Sequence, residues 1–466
     1  MLGGSITLLL ALSPAFTTAG AAQASSRSSS PVRAECGSHG ATGSLHGPAT
    51  VSIAYTSTQE FNTATYAKSW FTQLKSSFQK KHPGVTVKLV PIGGSATNFN
   101  EKIALMLRSG KTVPDVVHEG TTNVGPQYEA HQVAPLTRYL KGWKTLSKFK
   151  RAVLLGGVPG PHIYQLVSGI VDFGLYYNVN QFKQADLKVP WQPHSWGQII
   201  SAAKAIKAKV PGTTPLFLYA GNAIATTTTR ENFLPLLEGT GTPITKGLKW
   251  VVGGKGIKSV FNFYDTVFSD GLGPSLSTLA SPVATGHLSG TLMPQQKVAI
   301  ALVGNWVGSW WIPGGPAPFP AGVNTYRVAL LPTEYGQAPG YATEAQGSTF
   351  VMTCDSKHRR LAAELMEMAE DAHFNLLHVL WTGEVPPRSD VLHASKYLSS
   401  VPYYNRAETV WENYASVTPS YNYSGYATCI GQVTALISSN HLAPAPAASQ
   451  LKDCASRSMG ATAVAT

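Results

Sequence analysis

Residues 51–136 alternate between strand and helix patterns, and this order restricts the chain to an α/β fold. Strand-like segments read "VSIAYT", "VTVKLVPI" and "PDVVHEG", and a helical segment follows each of the first two. The sequence His82-Pro83-Gly84 ends the first helix. Its apolar residues recur every three or four positions: Ala67, Trp70, Phe71, Leu74 and Phe78. Such an order favours an open sheet that binds ligands beyond its strand ends.

Length and charge narrow the class of protein. A chain of 466 residues is long enough for two lobes, and 43% hydrophobic with 13% charged residues is typical of a globular protein. The formal net charge is +12, but the Lys and Arg residues are scattered and form no nucleic-acid motif. We therefore expect no nucleic-acid partner. A shortage of acidic residues also suits an exported protein in an acidic medium, where buried or paired carboxylates become protonated.

The N-terminal segment has the pattern of an export signal. The apolar run "ITLLLALSPAF" is too short to span a bilayer, and Ala22-Gln23-Ala24 matches a cleavage site. The pattern is atypical because no Lys or Arg precedes the run. We predict a signal peptide over residues 1–24 and a flexible Ser- and Gly-rich lead-in over residues 25–49. Later apolar segments are interrupted by Gly, Pro or charge, so no transmembrane helix is expected.

Four cysteines allow three disulfide pairings. Cys429 and Cys454 lie in two consecutive helical segments near the C-terminus, so we predict that they form a disulfide. The pairing of Cys36 and Cys354 is left open. Cys36 lacks the Leu-Ala-Gly sequence that precedes a lipid-anchored cysteine, so the means of retention at the cell is also open. No cysteine spacing suggests a metal site.

Several motifs together resemble one family. "FQKKHPGVTVKLVPI", "LRSGKTVPDVVHEG" and "QYEAHQVAPLTRYL" are similar to the first lobe of extracellular solute-binding proteins of ABC importers, especially the sugar- and maltose-binding class. "YYNVNQFKQADLKVP" resembles the family's passage to the second lobe. "KVAIALVGNWVGSWW" resembles its return strand with a Gly-x-Trp ending, and "VPPRSDVL" its Pro-x-Arg turn. The resemblance covers residues 50–458.

The resemblance implies an α/β fold of the two-lobed periplasmic-binding-protein type, with three strands that cross between the lobes. It predicts an N-lobe of residues 50–168 plus 305–345 and a C-lobe of residues 169–304 plus 346–458. Residues 459–466 are expected to form a disordered tail. The hinge is expected near residues 168–173, 300–305 and 345–350.

The resemblance also indicates where ligand contacts lie. The family places them in loops after strands, in a Gly-Ser approach that here reads "QGST", and near the Pro-x-Arg turn. Loop structure, helix capping and ion pairing are the alternative roles for these residues. The candidates are Gln59, Glu60, Glu119, Asn123, Tyr219, Asn222, Gln346, Gly347 and Arg388.

Trp306, Trp310 and Trp311 form an aromatic cluster whose spacing lets all three share one helix face. Aromatic rings pack on the C–H faces of sugars and leave the sugar rim open to hydrogen bonds. The alternative is that the cluster belongs to the core. We retain Trp306 and Trp310 as candidate ligand contacts because the family's Gly-x-Trp turn borders its cleft.

The resulting hypothesis is a monomeric extracellular receptor of an ABC transporter that binds a carbohydrate, an oligosaccharide by preference, and delivers it to a permease. No catalytic residue, cofactor or metal ion is expected, because no hydrolase, metalloprotease or phosphate-loop motif occurs. One alternative is a secreted carbohydrate-active enzyme with two carboxylates roughly 5–10 Å apart. Another keeps the fold but binds a glycerophosphodiester, a polyamine or iron. A polyamine would require several carboxylates beside aromatic rings.

Overall fold

The structure is a computed structural model that describes residues 36, 48–57, 64–94, 96–400 and 415–466. Its strands are β1 Ala49–Thr56, β2 Val85–Ile92, β3 Val116–Gly120, β4 Leu166–Val171, β5 Phe173–Asn178, β6 Thr214–Phe217, β7 Thr245–Lys246, β8 Lys249–Val251, β9 Val298–Gly304, β10 Tyr326–Ala329, β11 Thr343–Met352, β12 Ala415–Val417 and β13 Val464–Ala465. Residues 1–24, predicted as a signal peptide, and nearly all of the predicted lead-in lie outside the described residues.

The α-helices are α1 Ala64–Lys81, α2 Ala96–Ser109, α3 Val124–Glu129, α4 Arg151–Leu155, α5 Val179–Gln184, α6 Trp196–Lys209, α7 Ala225–Thr227, α8 Leu234–Gly239, α9 Gly254–Ser269, α10 Leu276–Leu279, α11 Ala284–His287, α12 Val307–Trp311, α13 Gly322–Thr325, α14 Arg359–Ala369, α15 Ala372–Thr382, α16 Ser389–Leu392, α17 Ser395–Leu398, α18 Tyr423–Ser438 and α19 Pro444–Met459. Thr228–Phe233 and Leu288–Leu292 form π-helical turns. None of the described helices is both long and apolar enough to cross a bilayer.

The first sheet confirms the strand–helix alternation predicted from residues 51–136. Its order is β12-β11-β3-β1-β2, and β4 pairs with β11. The strands β1, β2 and β3 are parallel, whereas β11 runs antiparallel to β3 and β4. The predicted apolar face of α1 is buried in this lobe, and the Trp70 indole Nε1 donates to the Phe374 carbonyl at 3.0 Å.

The second sheet has the order β10-β5-β9-β6. The strand β9 lies between β5 and β6, and all seven of its residues are buried because apolar side chains pack on both faces of the sheet. Residues of α6, α9 and α18 complete a core with this sheet. Tyr176 and Tyr177 are buried in β5.

The predicted lobe boundaries stay a prediction, but strand pairing assigns several segments differently. The chain leaves the first sheet at Asp172, between β4 and β5, as expected. Both β9 and β10 belong to the second sheet, so the chain returns between β10 and β11 and not at residues 300–305. The helices α14 and α15 pack on the first sheet and α1, although residues 346–458 were expected in the C-lobe. Apolar burial, which sequence order does not specify, decides these placements.

The prediction of a disordered tail over residues 459–466 is wrong. The strand β13 pairs with β8 in a small sheet of order β13-β8-β7. The Val252 amide donates to the Ala465 carbonyl at 2.8 Å, and Lys246 Nζ donates to the Thr466 carbonyl at 2.9 Å. These backbone-directed bonds order a segment that has little side-chain surface to bury.

Two disulfides connect distant parts of the chain. The predicted Cys429–Cys454 bond is confirmed, with an S–S distance of 2.02 Å between α18 and α19. Cys36 pairs with Cys354, which resolves the pairing that the sequence left open. The Cys36–Cys354 disulfide ties Cys36 to the residues that follow β11 in the first lobe.

Candidate functional site

The ends of β4 and β9 meet the N-terminal half of β11 where the two sheets join. Gln346 of β11 pairs with Val171 at the end of β4. A Cβ atom on Gly304, at the end of β9, would lie 2.5 Å from the Trp306 indole and 2.9 Å from Val171 Cγ1. Residues from both sheets therefore converge at this junction, which we call the interlobe junction and define by Val171, Gly304 and Gln346.

An aromatic pair lies at the interlobe junction. Trp306 and Trp310 are half-buried, and their ring centroids are 5.4 Å apart at an interplanar angle of 62°. The Trp310 ring lies over Gly286 and Gly290, where a Cβ atom at either position would be 3.5 Å from the ring, an ordinary van der Waals contact. The pair therefore presents partly open aromatic surface beside the ends of β4 and β9.

Trp311 has a different environment from its two neighbours. It is buried, and its indole Nε1 donates to the Ser289 carbonyl at 2.9 Å. Its ring packs against Phe319 and Tyr326. Trp311 is therefore a core residue of the second lobe, in agreement with the alternative stated for this cluster.

Gln346 connects the junction to a buried carboxyl group. Its side-chain Nε2 donates to Glu344 Oε1 at 2.6 Å. Glu344 is fully buried, and among the described residues its Oε2 has no hydrogen-bond partner. Burial raises the pKa of Glu344 well above its ordinary value, and the bond from Gln346 only partly opposes this effect.

A guanidinium and a second carboxylate lie in the same electrostatic neighbourhood. Arg230 Nη2 and Glu231 Oε1, in the π-helical turn, are 2.9 Å apart. The Glu231 side chain is 0% exposed, whereas that of Arg230 is 31% exposed. Burial raises the pKa of Glu231, and Arg230 limits the rise. Arg230 interacts electrostatically with Glu344 and Tyr423, so these groups form one network with Gln346.

A small recess opens on the first-lobe side of Gln346. Thr121, Gln165, Ile170 and Thr418 are among its lining residues. Gln165 Nε2 donates to the Val153 and Gly156 carbonyls at 3.1 and 2.8 Å. Gln165 Oε1 and Thr418 Oγ1 are buried without partners in the described part of the chain. The recess thus offers polar atoms to a hydroxyl group or a water molecule.

Glu119 and Asn123 form a polar loop after β3. The Glu119 carboxylate accepts hydrogen bonds from Asn123 at 3.1 Å and from Gln127 at 2.9 Å. Burial raises its pKa to about 7. Asn123 also donates to Asn100 at 2.8 Å. These bonds hold the loop in place, and a ligand contact by either residue stays a prediction.

Gly347 is required by strand packing. A Cβ atom there would lie 1.9 Å from the Gly169 carbonyl oxygen, so only glycine permits β11 to approach β4 this closely. Its amide donates to Thr121 Oγ1 at 3.2 Å. The "QGST" motif therefore places Gln346 at the junction, while its glycine serves the sheet.

Three further predicted residues have other surroundings. Tyr219 is fully buried against Phe217, and Asn222 is exposed in the following turn. Arg388 is buried with its Nε and Nη2 atoms on Asp390 at 2.9 and 2.8 Å, and its Nη1 donates to the Glu370 carbonyl. We therefore assign Arg388 to the internal structure of the first lobe.

Two predicted contacts lie outside the described residues, and several junction residues were not predicted. Gln59 and Glu60 belong to the first group. Arg230, Glu231, Glu344 and Tyr423 belong to the second. An Arg-Glu pair directly before the apolar run "NFLPLL" was the one local signal, because charge next to buried residues indicates a paired site.

The sequence identifies the family. A profile of the bacterial extracellular solute-binding proteins matches residues 60–372, which is more than half of the chain. The chain belongs to this family. Proteins of this family bind solutes outside the cytoplasm, and the family relationship agrees with the resemblance of the sequence motifs. A comparison of the sequence with curated proteins finds no match.

Solved structures of other solute-binding proteins have the same two-lobed α/β fold. The cyclic α-maltosyl-1,6-maltose binding protein from Arthrobacter globiformis has a TM-score of 0.73 at 17% identity, covering 89% of this chain and 100% of that chain. Maltose-bound MalE3 of T. maritima has a TM-score of 0.70 at 16% identity, and the match covers 87% of this chain and 99% of that chain. The GacH receptor of Streptomyces glaucescens, solved with acarbose, has a TM-score of 0.69 at 18% identity, and the match covers 88% of this chain and 98% of that chain. These similarities establish the fold, and these relatives are binding proteins.

Proposed function

We propose that this solute-binding protein is an exported receptor for a saccharide, which it binds at the interlobe junction and delivers to a separate membrane permease. The observation that carries the proposal is the half-buried Trp306–Trp310 pair beside the end of β9. Aromatic rings that are only partly covered provide a flat surface for the C–H faces of a sugar ring.

Polar groups around the tryptophans are suited to the rim of a sugar. The Gln346 amide, the Glu344 carboxyl and the Arg230 guanidinium form one network. The recess beside them contains Thr418 Oγ1, which has no hydrogen-bond partner among the described residues. Hydroxyl groups of a sugar both donate and accept hydrogen bonds, so they can satisfy carboxyl, amide and hydroxyl groups in turn. Saccharide ligands of the similar proteins, which include maltose and acarbose, support this choice of ligand class.

Ligand binding at this position couples to movement of the lobes. Gln346 lies on β11 of the first sheet. Trp306 follows β9 of the second sheet, and Arg230 lies in the π-helical turn Thr228–Phe233, between β6 and β9 in the chain. A ligand that contacts both sets stabilises the closed arrangement, because those contacts exist together only when the lobes are close. The closed, loaded receptor is the form that we propose docks on the permease. Binding and delivery require that no bond of the sugar is broken.

A binding screen with product analysis tests this function. The mature protein is titrated calorimetrically with maltose, maltotriose, cellobiose and mannobiose, and each sugar is recovered afterwards and analysed by chromatography. Micromolar or tighter binding of one saccharide class, with the sugar recovered intact, is the expected result. Cleavage of the sugar, or binding only of glycerophosphodiesters or ferric citrate, would replace this function by an alternative.

A further inference from the structure

Resting on the proposed function, we propose that the natural saccharide carries a protonated amino group, and that this ammonium binds to the free carboxyl oxygen of Glu344 at the interlobe junction. The inference goes beyond a general sugar receptor because it selects amino sugars over neutral sugars. It depends on the charges at the junction, on the unused hydrogen-bonding position of Glu344 and on the Trp306–Trp310 pair.

The junction holds more carboxylates than cations. Glu344 interacts electrostatically with Glu238 and Glu231, and Arg230 is the cation that acts on it. Arg230 is already engaged, with its Nη2 on Glu231 Oε1 at 2.9 Å. Among the described residues, the cation that acts on Glu344 is therefore one that Glu231 already engages.

Glu344 has a hydrogen-bonding position that the protein leaves unused. One of its oxygens accepts from Gln346, and the other has no partner among the described residues, although the side chain is 0% exposed. A buried carboxylate is stable only when it is paired, and otherwise it binds a proton. Burial raises the pKa of Glu344 accordingly and favours the neutral form of the group in the empty protein. An ammonium group would displace that proton and form a charge-assisted bond.

Other ligand charges fit this arrangement less well. A phosphate or carboxylate would find Arg230 as its cation there, and that guanidinium is already paired with Glu231, so an anion would gain little. The three carboxyl groups also do not converge on a metal ion, because no set of three metal-binding side chains in the described residues is close enough for that. The Trp306–Trp310 pair adds a surface that attracts cations as well as sugar rings.

Sugars that differ at one substituent give the sharpest test. The β-1,4-linked dimers of glucosamine, glucose and N-acetylglucosamine share ring and linkage, and their monomers provide a second set. Calorimetry at pH 7 in two buffers of different ionisation enthalpy measures affinity and proton release together. We expect the amine to bind at least ~10-fold more tightly than its hydroxyl and acetamido counterparts. We also expect release of a proton upon binding, since Glu344 ionises.

The variants compare two buried carboxyl groups. Glu344→Gln should abolish the preference for the amine and the proton release. Glu370→Gln is the matched control, because Glu370 is also buried, has a strongly raised pKa and bonds to Asn375 at 2.8 Å within the first lobe. This control should keep both properties. If Glu344→Gln does not fold, proton release by the unaltered protein upon binding of the amine tests the inference.

The outcomes separate this inference from the proposed function. Equal binding of amine and neutral sugars without proton release would overturn the amino-sugar inference and leave the saccharide receptor intact. Spermidine binding more tightly than every sugar would overturn the saccharide receptor itself. Failure of all these ligands to bind would overturn the inference together with the choice of sugars that supports it.

Discussion

Thr343 and Phe173 exchange two hydrogen bonds across the connection between the lobes. The Phe173 amide donates to Thr343 Oγ1 at 2.8 Å, and the same hydroxyl donates to the Phe173 carbonyl at 3.1 Å. Close by, the Asn305 amide donates to the Asp172 carbonyl at 3.0 Å. One buried threonine side chain thus ties the segment that leaves the first sheet to the strand that returns to it.

Replacing Thr343 by valine should weaken ligand binding as well as the fold. The buried Phe173 amide would lose its acceptor, at a cost of about 1–3 kcal/mol in the free energy of unfolding. We also expect a several-fold loss of saccharide affinity, because the two crossing segments no longer hold one another in the closed arrangement. Thr349→Val is the matched control, since Thr349 is equally buried on β11 but bonds to the Leu166 carbonyl within the first sheet. Equal affinity losses in both variants would contradict a special role of Thr343.

Trp306→Ala should reduce saccharide affinity by about tenfold or more, because the sugar ring loses its aromatic surface. Trp143→Ala is the control, since Trp143 is also half-buried but packs against Phe149 in the first lobe. Calorimetric titration and melting curves of both variants separate affinity from stability. Unchanged affinity in Trp306→Ala would show that the aromatic pair serves packing alone.

Removal of the Cys429–Cys454 disulfide should destabilise the second lobe without changing the site. The bond closes a loop with a sequence separation of 25 residues. Chain entropy then predicts a loss of about 3–4 kcal/mol for the Cys429→Ser/Cys454→Ser variant. Chemical denaturation measures this loss, and ligand titration should give an unchanged Kd. A large change in Kd would mean that α18 contributes to the site through the bond.

Asp172 should make the protein relatively more stable in acid. Burial raises its pKa to about 7, so the folded protein holds a proton that the unfolded chain releases near pH 4. The stabilising contribution is therefore complete below about pH 4 and is lost as the pH rises to 7. Asp172→Asn should gain roughly 2–4 kcal/mol relative to the unaltered protein at pH 8, and much less at pH 4. The exposed Asp453→Asn is the control, and a gain independent of pH would contradict the prediction.

The contribution of Glu384 to stability should depend on pH in the opposite sense to that of Asp172. Burial raises its pKa, but hydrogen bonds and charge from His378 and hydrogen bonds from Ser348 and Thr382 outweigh this and hold the pKa below its ordinary value. Its Oε2 lies 3.0 Å from His378 Nε2 and 2.7 Å from Ser348 Oγ. Its contribution is therefore present above about pH 4.5 and lost as the pH falls.

The Glu384→Gln variant measures that contribution. Removing this buried, hydrogen-bonded carboxylate should cost about 1–3 kcal/mol at neutral pH, and the difference from the unaltered protein should shrink towards pH 3. Melting curves between pH 3 and pH 8 for this variant and for Asp172→Asn then test the acid adaptation suggested by composition. A cost of Glu384→Gln that grows with acidity would contradict the assigned sign.

The candidate site was predictable in part. Trp306 and Gln346 follow from motifs next to strands, and the structure brings both to the junction. Glu344 was not predicted, although it is two residues before Gln346, because its role depends on Arg230 more than one hundred positions earlier. Gly347 was predicted as a ligand contact, whereas the approach of Gly169 explains it. Pairings between distant segments leave no periodic signal along the chain.

Local patterns by themselves determined the helix α1, the parallel strands that follow it and the Cys429–Cys454 pairing, because each depends on residues within a few turns or a few tens of positions. The tertiary structure alone decided that β10 joins the second sheet, that β13 orders the C-terminus and that Cys36 meets Cys354. In each of these cases backbone hydrogen bonds or apolar burial select the partner from many compatible segments. That choice is made by the free energy of the whole fold, which local sequence does not contain.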